Sequence, residues 1–468
     1  MNSLHRELML LTEKTEAVGK KRKKEDGWSP SFHLSPPTGW LNDPNGLCFY
    51  QGMYHGFFQY SPFDAEGGLK FWGHSASRDL FTWNYLGAAL CPDQPFDCHG
   101  VYSGSALVEG NRMTLFYTGN IKESGDFDYI TEGRQGNLVM VSSDDGIHFG
   151  EKEWLMKNSD YPSDCTCHVR DPKVWKDGGI YHMVQGARNR KEYGEVLYYQ
   201  SEDKKTWKLR NRFTTDRPFG YMWECPDFFM LDGQKILSVS PQGVSHEMHR
   251  FQNIYQSGYF LFEGEEDASY RLNGFEEWDY GFDFYAPQTF EDDKGRRILI
   301  GWMGMPDTPK FQNKTLEYGW QHTFTLPRVL QWTDGRIYQK PAEEILEKRG
   351  KATVIQHGVQ EKYLKNCEIV IENGNGSDFA AEFSGGLMLS WDNAKKLFAM
   401  TFKGEAGGGR DVRRMQLDSC RKADVFIDAS CMEVFVNDGE KVMSTRYYPT
   451  ERTVKLDGAE EAVMYPLG

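Results

Sequence analysis

The sequence contains no apolar run near the ~18 residues that a membrane-spanning helix requires, so no membrane anchor is expected. It has no excess of positive charge either. With 54 Lys and Arg against 68 Asp and Glu, the formal net charge is -14, which disfavours nucleic acid and anionic membranes as partners. Disulfide signals are also missing. The nine cysteines, at 48, 91, 98, 165, 167, 225, 367, 420 and 431, are odd in number, scattered and without a CxxC pair, a pattern that fits a reducing cytoplasm. Cys165-Thr166-Cys167-His168 lacks a second ligand pair at zinc-site spacing, so no metal is assigned and no cofactor is expected. A signal peptide is not seen at the N-terminus, where the basic cluster Lys20–Lys24 follows the weakly apolar Leu8–Leu11 instead of preceding an apolar core. Helical periodicity is scarce after Ser29.

What is present is aromatic and β-like. Leu4, Leu8 and Leu11 predict a helical leader over residues 1–28 with a solvated basic tail. Beyond it, short aromatic or β-branched runs alternate with Gly, Asp, Asn and Pro, the pattern of an all-β protein. Two repeats sharpen this reading. Ser77-x-Asp79, Ser143-x-Asp145 and Ser201-x-Asp203 each have an aromatic six positions after the Ser, at Trp83, Phe149 and Trp207. Polar turns expected to open hairpins stand at Asp43-Pro44, Ser103-Gly104-Ser105, Asp171-Pro172, Glu224-Cys225-Pro226 and Ala286-Pro287, with starts 60, 68, 53 and 62 residues apart. Five units of that size are what a five-bladed β-propeller needs; a β-sandwich with long loops is the alternative. The propeller is expected over 29–340, followed by a linker over 341–350. A C-terminal β-sandwich is expected over 351–468, where Asn437-Asp438-Gly439-Glu440 marks a hairpin.

In the segment Trp40-Leu41-Asn42-Asp43-Pro44-Asn45-Gly46 a carboxylate is expected where a loop becomes a strand, with Pro44 pushing Asp43 out of the α region. In a propeller, Asp43, Asp171 and Glu224 would start equivalent inner strands and meet at one mouth of the channel. Like charges grouped in a partly dry pocket raise at least one pKa, as a catalytic site requires and a structural one does not.

Trp-Leu-Asn-Asp-Pro-Asn-Gly, Phe58-Gln59-Tyr60, Trp72-Gly73-His74, Tyr102-Ser103-Gly104-Ser105, Arg170-Asp171-Pro172, Glu224-Cys225-Pro226, Gly301-Trp302-Met303 and Ile427-Asp428-x-Ser430-x-x-Glu433 occur in series. In order and spacing they resemble the family 32 glycoside hydrolases, the β-fructofuranosidases or invertases. The resemblance implies the propeller and sandwich, with Asp43 as nucleophile, Glu224 as general acid and base, and Asp171 as the residue that holds fructosyl hydroxyls. It also implies substrate contacts by Trp40, Asn42, Gln59, Trp72, Tyr102, Ser103, Arg170 and Trp302. Glu224 beside Trp223 and Cys225 is expected in apolar surroundings, and Asp43 is expected to be fed by turn amides. Cys225 is assigned to packing. The substrate would be a small carbohydrate: sucrose, sucrose 6-phosphate or a short fructan. A phosphate subsite would draw on Arg188 and Arg190. A related five-bladed furanosidase acting on arabinan or xylan, and a catalytically dead sugar-binding propeller, are the alternatives. The sequence assigns no oligomeric state.

Overall fold

The computed structural model describes residues 2–308, 311 and 313–468. It is nearly all-β. Strands first form five successive sheets, here I to V, and then two six-stranded sheets. The leading strands of sheets I to V are Gly39–Tyr50, Val101–Glu109, Cys165–Asp177, Met222–Leu231 and Tyr285–Glu291. Each packs on the next, and the fifth packs back on the first. Sheet I is completed by a strand from far along the chain: Trp320–Gln321 pairs in parallel with Gly39–Trp40.

Both repeats have local causes. In sheets I to III the Ser-x-Asp unit turns the third strand into the fourth. Asp79 accepts from the Phe81 and Thr82 amides, Asp145 from Ile147 and His148, and Asp203 from Lys205 and Thr206, while the Ser hydroxyl bonds back to the same Asp. The polar units expected to open hairpins lie instead inside the leading strands, as bulges. Asn42-Asp43 faces the single residue Gln59, Asp171-Pro172 faces Gln185, Cys225-Pro226 faces Val239 and Ala286-Pro287 faces Gly301. Ser103 is the extra residue between Tyr102 and Gly104. Asp171, Cys225 and Ala286 take left-handed backbone angles, with φ of 61°, 45° and 49°. A bulge bends its strand and re-aims the next side chain. Five bulges at one level therefore direct five short segments into one space.

The N-terminal helix, Ser3–Lys23, is capped by Asn2 and lies against sheet I. Leu4 and Leu11 stay exposed; the buried face comprises Thr12, Glu16 and Gly19, with Leu8 packed against the core. A Cβ on Gly19 would stand 2.2 Å from the Thr38 side chain, so only glycine permits this approach. The basic tail is not wholly solvated. Lys23 donates to Ser35 Oγ at 2.7 Å and the Pro36 carbonyl at 2.6 Å, and lies 4.2 Å from the Trp320 ring centre.

Residues Glu343–Leu346 form a short helix after the last strand of sheet V. The two six-stranded sheets follow, and between them Trp391, Phe398, Ile427 and Val434 form a shared core. The Asp428/Glu433 segment holds the chain together across its length. Asp428 accepts from the amides of Ser31, Phe32 and His33 and from His33 Nδ1. Glu433 accepts from His33 Nε2, the Leu326 amide and Arg328 Nη2, and Arg328 also reaches Asp279 at 2.9 Å. All five of these side chains are fully buried.

Candidate active site

The bulges sort the residues at the mouth into two tiers. Asp43, Ser103, Asp171, Cys225 and Ala286 occupy the bulges; Tyr102, Arg170, Glu224 and Tyr285 precede theirs by one residue, whereas Asn42 shares its bulge with Asp43. Glu224 is thus the counterpart of Arg170, not of Asp171, a one-residue correction to the expected equivalence of the three acids. Hydrogen bonds run within each tier.

In the bulge tier, Asp43 Oδ2 accepts from Ser103 Oγ at 2.5 Å and Oδ1 accepts from Asn42 Nδ2 at 3.0 Å. These are side-chain donors, where turn amides were expected. Ser103 in turn accepts from Gln59 Nε2 at 2.5 Å, and Gln59 Oε1 accepts from Asn42 at 3.1 Å, which closes a ring of four side chains. Asp171 Oδ2 accepts from the Cys225 amide at 2.9 Å, and the Cys225 sulfur lies 3.6 Å from Asp171 and 3.8 Å from Asp43. Burial, with both carboxylates nearby, holds this thiol far above its ordinary pKa. It remains an S–H donor, consistent with a packing role.

In the upper tier, Glu224 Oε1 accepts from Arg170 Nη2 at 2.7 Å and Nε at 3.1 Å, and Oε2 accepts from Tyr285 OH at 2.6 Å and Gln242 Nε2 at 2.7 Å. The expected apolar flank is absent. Strand neighbours point to opposite faces, so Trp223 is fully buried on the other side, with its indole on the Phe219 carbonyl.

Burial raises the Asp43 carboxyl above its usual range; Ser103 and Asn42 pull it down, Glu224 pushes it up and Lys70 pulls it down. Asp171 is raised by burial and by Glu224 and Asp43, against the opposing Arg170. Lys70 was not anticipated from the sequence. Its ammonium donates to Asn42 Oδ1 at 3.0 Å and lies 5.1 Å from the Trp40 ring centre, and burial lowers it to about 7 against Asp43 and Asp64. Trp40 Nε1 donates to the same oxygen at 2.8 Å. Neither donor can accept, so the pair fixes the Asn42 amide with Nδ2 toward Asp43. Lys70→Met is therefore expected to lower kcat/KM roughly tenfold, as expected when a charge-assisted hydrogen bond is removed. Because Lys70 lowers the Asp43 pKa, the acid limb of the kcat/KM–pH profile should move to higher pH. An unmoved acid limb would exclude the coupling.

The other expected contacts divide. Tyr102 and Trp40 are half-exposed at the mouth. Trp40 borders a cavity of about 580 Å³ that Asp307 and Gln321 also line. Trp72 is fully buried, with its indole N–H on the Tyr102 carbonyl at 3.0 Å, and belongs to the core between sheets I and II. Trp302 is 2% exposed and supports Trp40 edge-on at 5.9 Å. Arg188 lies 4.6 Å from the Tyr221 ring centre. Arg190 is exposed and turns to the Ser163 carbonyl at 3.3 Å. Tyr285 and Gln242 were missed; Tyr285 lies two residues before Pro287, as Arg170 does before Pro172 and Glu224 before Pro226, and that spacing would have found it.

Comparison with known proteins agrees in sequence and in fold. The glycosyl hydrolases family 32 N-terminal domain matches residues 33–341, and the family's C-terminal domain matches 408–462. The chain is 37% identical over 450 residues to a sucrose-6-phosphate hydrolase of Bacillus subtilis, covering 93% of this chain and 92% of that protein. It is 36% identical over 444 residues to a raffinose invertase of Escherichia coli, covering 91% of each. Its fold superimposes on a β-fructofuranosidase of Bombyx mori with a TM-score of 0.85 at 31% identity, covering 99% of this chain and 97% of that one. With a family match spanning all five bulged strands and relatives aligned over most of both lengths, the chain belongs to glycosyl hydrolase family 32.

Proposed function

We propose that this chain is a retaining β-fructofuranosidase, acting on sucrose, sucrose 6-phosphate or short fructo-oligosaccharides. Its fold is read as a five-bladed β-propeller over 29–340, preceded by a leader over 1–28 and joined by a linker over 341–350 to a β-sandwich over 351–468. Sheets I to V are the blades, a reading supported by the cyclic packing of their leading strands. The observation that carries the functional reading is the convergence of Asp43 and Glu224, in adjoining tiers, with opposite sets of partners. Asp43 keeps one oxygen on Ser103 and the other on Asn42, which aims it as a nucleophile at an anomeric carbon. Glu224 stands one tier higher, at the level of the glycosidic oxygen. It gives that oxygen a proton as the C–O bond breaks and Asp43 forms the fructosyl ester. It then takes a proton from the water that releases fructose. Asp171, locked by the Cys225 amide, accepts hydroxyls of the furanose ring, and Arg170 orients Glu224.

The relatives named sucrose-6-phosphate hydrolase and raffinose invertase support a fructoside substrate. A cytoplasmic location is proposed on the nine free cysteines, seven of them buried; no helix among the described residues is long and apolar enough to cross a membrane. Two displacements on one carbon give net retention. With methanol as acceptor, the first product detected by NMR should therefore be methyl β-D-fructofuranoside, and the α-anomer as first product would overturn the nucleophile role of Asp43.

A further inference from the structure

The link between sheets I and II meets the first turn of the N-terminal helix at a cluster of groups that the reaction above does not use. Cys91-Pro92-Asp93 follows the strand Asn84–Leu90 of sheet I, and the Asp93 amide folds back on the Cys91 carbonyl at 3.0 Å. Cys91 and Asp93 are buried. His5 reaches them from the helix: its Nδ1 lies 2.8 Å from Asp93 Oδ2 and 3.3 Å from the Cys91 sulfur. Asn2 sets that reach, because its Oδ1 accepts from the His5 amide at 2.7 Å while its Nδ2 donates to the Asp93 carbonyl at 2.9 Å.

Hydrogen bonding does not account for all three groups. A neutral His5 has at most one proton on Nδ1, and an ionised Asp93 takes it, which leaves the Cys91 thiol against a nitrogen with no lone pair to offer. Lys152 Nζ donates to Asp93 Oδ1 and Asp97 Oδ2, each at 2.7 Å, so Asp93 Oδ2 is the oxygen left to face His5. The charges then close: Lys152 balances Asp97, and Asp93 with a Cys91 thiolate balances one divalent cation. Thiolate, imidazole and carboxylate are together a donor set suited to zinc. The three ligand atoms lie within 4.8 Å of one another, and tetrahedral zinc holds such atoms about 3.3–3.6 Å apart. A fourth position opens on a cavity of about 570 Å³ that Asn2, Gln94 and Lys152 also line, which gives the ion an entry path and room for a water.

We propose that His5, Cys91 and Asp93 bind a zinc ion that fastens the N-terminal helix to the join of sheets I and II. Binding forms Zn–N, Zn–S and Zn–O bonds, moves the His5 proton from Nδ1 to Nε2 and releases the Cys91 proton to solvent, with no change of oxidation state. The inference is independent of the fructosidase reading.

The test is to titrate chelator-treated, full-length wild type with Co²⁺, a spectroscopic stand-in for zinc, and with Zn²⁺. One equivalent of Co²⁺ should give a thiolate-to-metal charge-transfer band, and Zn²⁺ should abolish it. Cys91→Ser should lose the band, and His5→Ala should weaken Zn²⁺ binding by more than the roughly 10- to 100-fold typical of a group that merely orients a ligand. Cys98→Ser, which removes the exposed thiol beside His99, should bind as the wild type does. Zn²⁺ should also slow amide hydrogen exchange over residues 3–12 of the helix in the wild type and leave Cys91→Ser unaltered. A wild type that retains no zinc and shows no cobalt band, or an undiminished band in Cys91→Ser, would overturn the site. Bound zinc with unchanged exchange in the helix would overturn the fastening. The wild-type readings need no variant to fold and no substrate, so they stand whatever the enzyme hydrolyses.

Discussion

Asp43→Ala lowers the hydrolysis of sucrose by at least ~10⁴-fold, the scale of loss when a member of a jointly acting catalytic set is removed, while the protein stays folded. The fold survives because Asp43 sits in a bulge and bonds side chains, not the ladder. Ser103 and Asn42 each keep another partner in Gln59. Glu224→Ala also loses activity, by roughly 10²–10⁴-fold for the missing proton transfer, and in a different way. Removing the acid hurts most when the leaving group must be protonated, so an activated fructoside with an acidic phenol as leaving group should regain most of its first-step rate in Glu224→Ala and none in Asp43→Ala. Pre-steady-state kinetics with such a fructoside would show a burst of phenol in Glu224→Ala, as the ester accumulates. The absence of that burst, or equal responses of the two variants, would remove the assignment of separate roles.

Arg328→Met should be the most destabilising single change outside the mouth, by about 3–5 kcal/mol, the usual cost of leaving buried charges without their partner. Arg328 is fully buried between Asp279 and Glu433, and Gln339 Oε1 and Ser444 Oγ also lie within hydrogen-bond reach. Its loss leaves two buried carboxylates facing a methionine. The comparison is Arg336→Ala, whose pair with Glu440 lies partly in solvent and is worth at most about 1 kcal/mol. Urea unfolding of the two variants measures the difference, and a cost below about 1 kcal/mol for Arg328→Met would refute the clamp. The same cluster sets a pH window. Burial opposes the charged His33 ring, but Cys431, Asp428 and Glu433 outweigh it and raise His33 to about 10. Its contribution is therefore complete below its unfolded value near 6.5 and is lost as pH rises through about 10. Glu433, buried but lowered by Arg328 and His33, contributes above its ordinary range and loses that contribution as pH falls.

How much of this was legible in the sequence depended on whether the signal was local. Asp43, Asp171 and Glu224 stand in short strings whose prolines and glycines fix the backbone, so their gathering could be anticipated. The bulge could not, because a turn and a bulge draw on the same residue types; hence the one-residue offset that pairs Glu224 with Arg170 was unseen. Tryptophans were ambiguous for a different reason. Trp72 and Trp302 carry enough apolar surface to belong to the core, and burial won for both. Lys70 and Gln242 act through long side chains that reach across to Asn42 and Glu224, and no spacing in the sequence records such a reach. The Asp428 and Glu433 motif was recognisable as a string, yet its partners His33 and Arg328 lie about 400 and 105 positions away, so its work as a clamp emerged only in three dimensions.

The parallel pairing of Trp320–Gln321 with Gly39–Trp40 also has a consequence for how the chain is made. On the ribosome, at 5–20 residues per second, about 15–60 s separate the emergence of those two segments. Through that interval the Gly39–Trp40 end of the earliest sheet waits unpaired, open to mispairing with a neighbouring nascent chain. Yield in a cell should therefore depend on chaperone supply during synthesis, more than the stability of the finished enzyme would suggest.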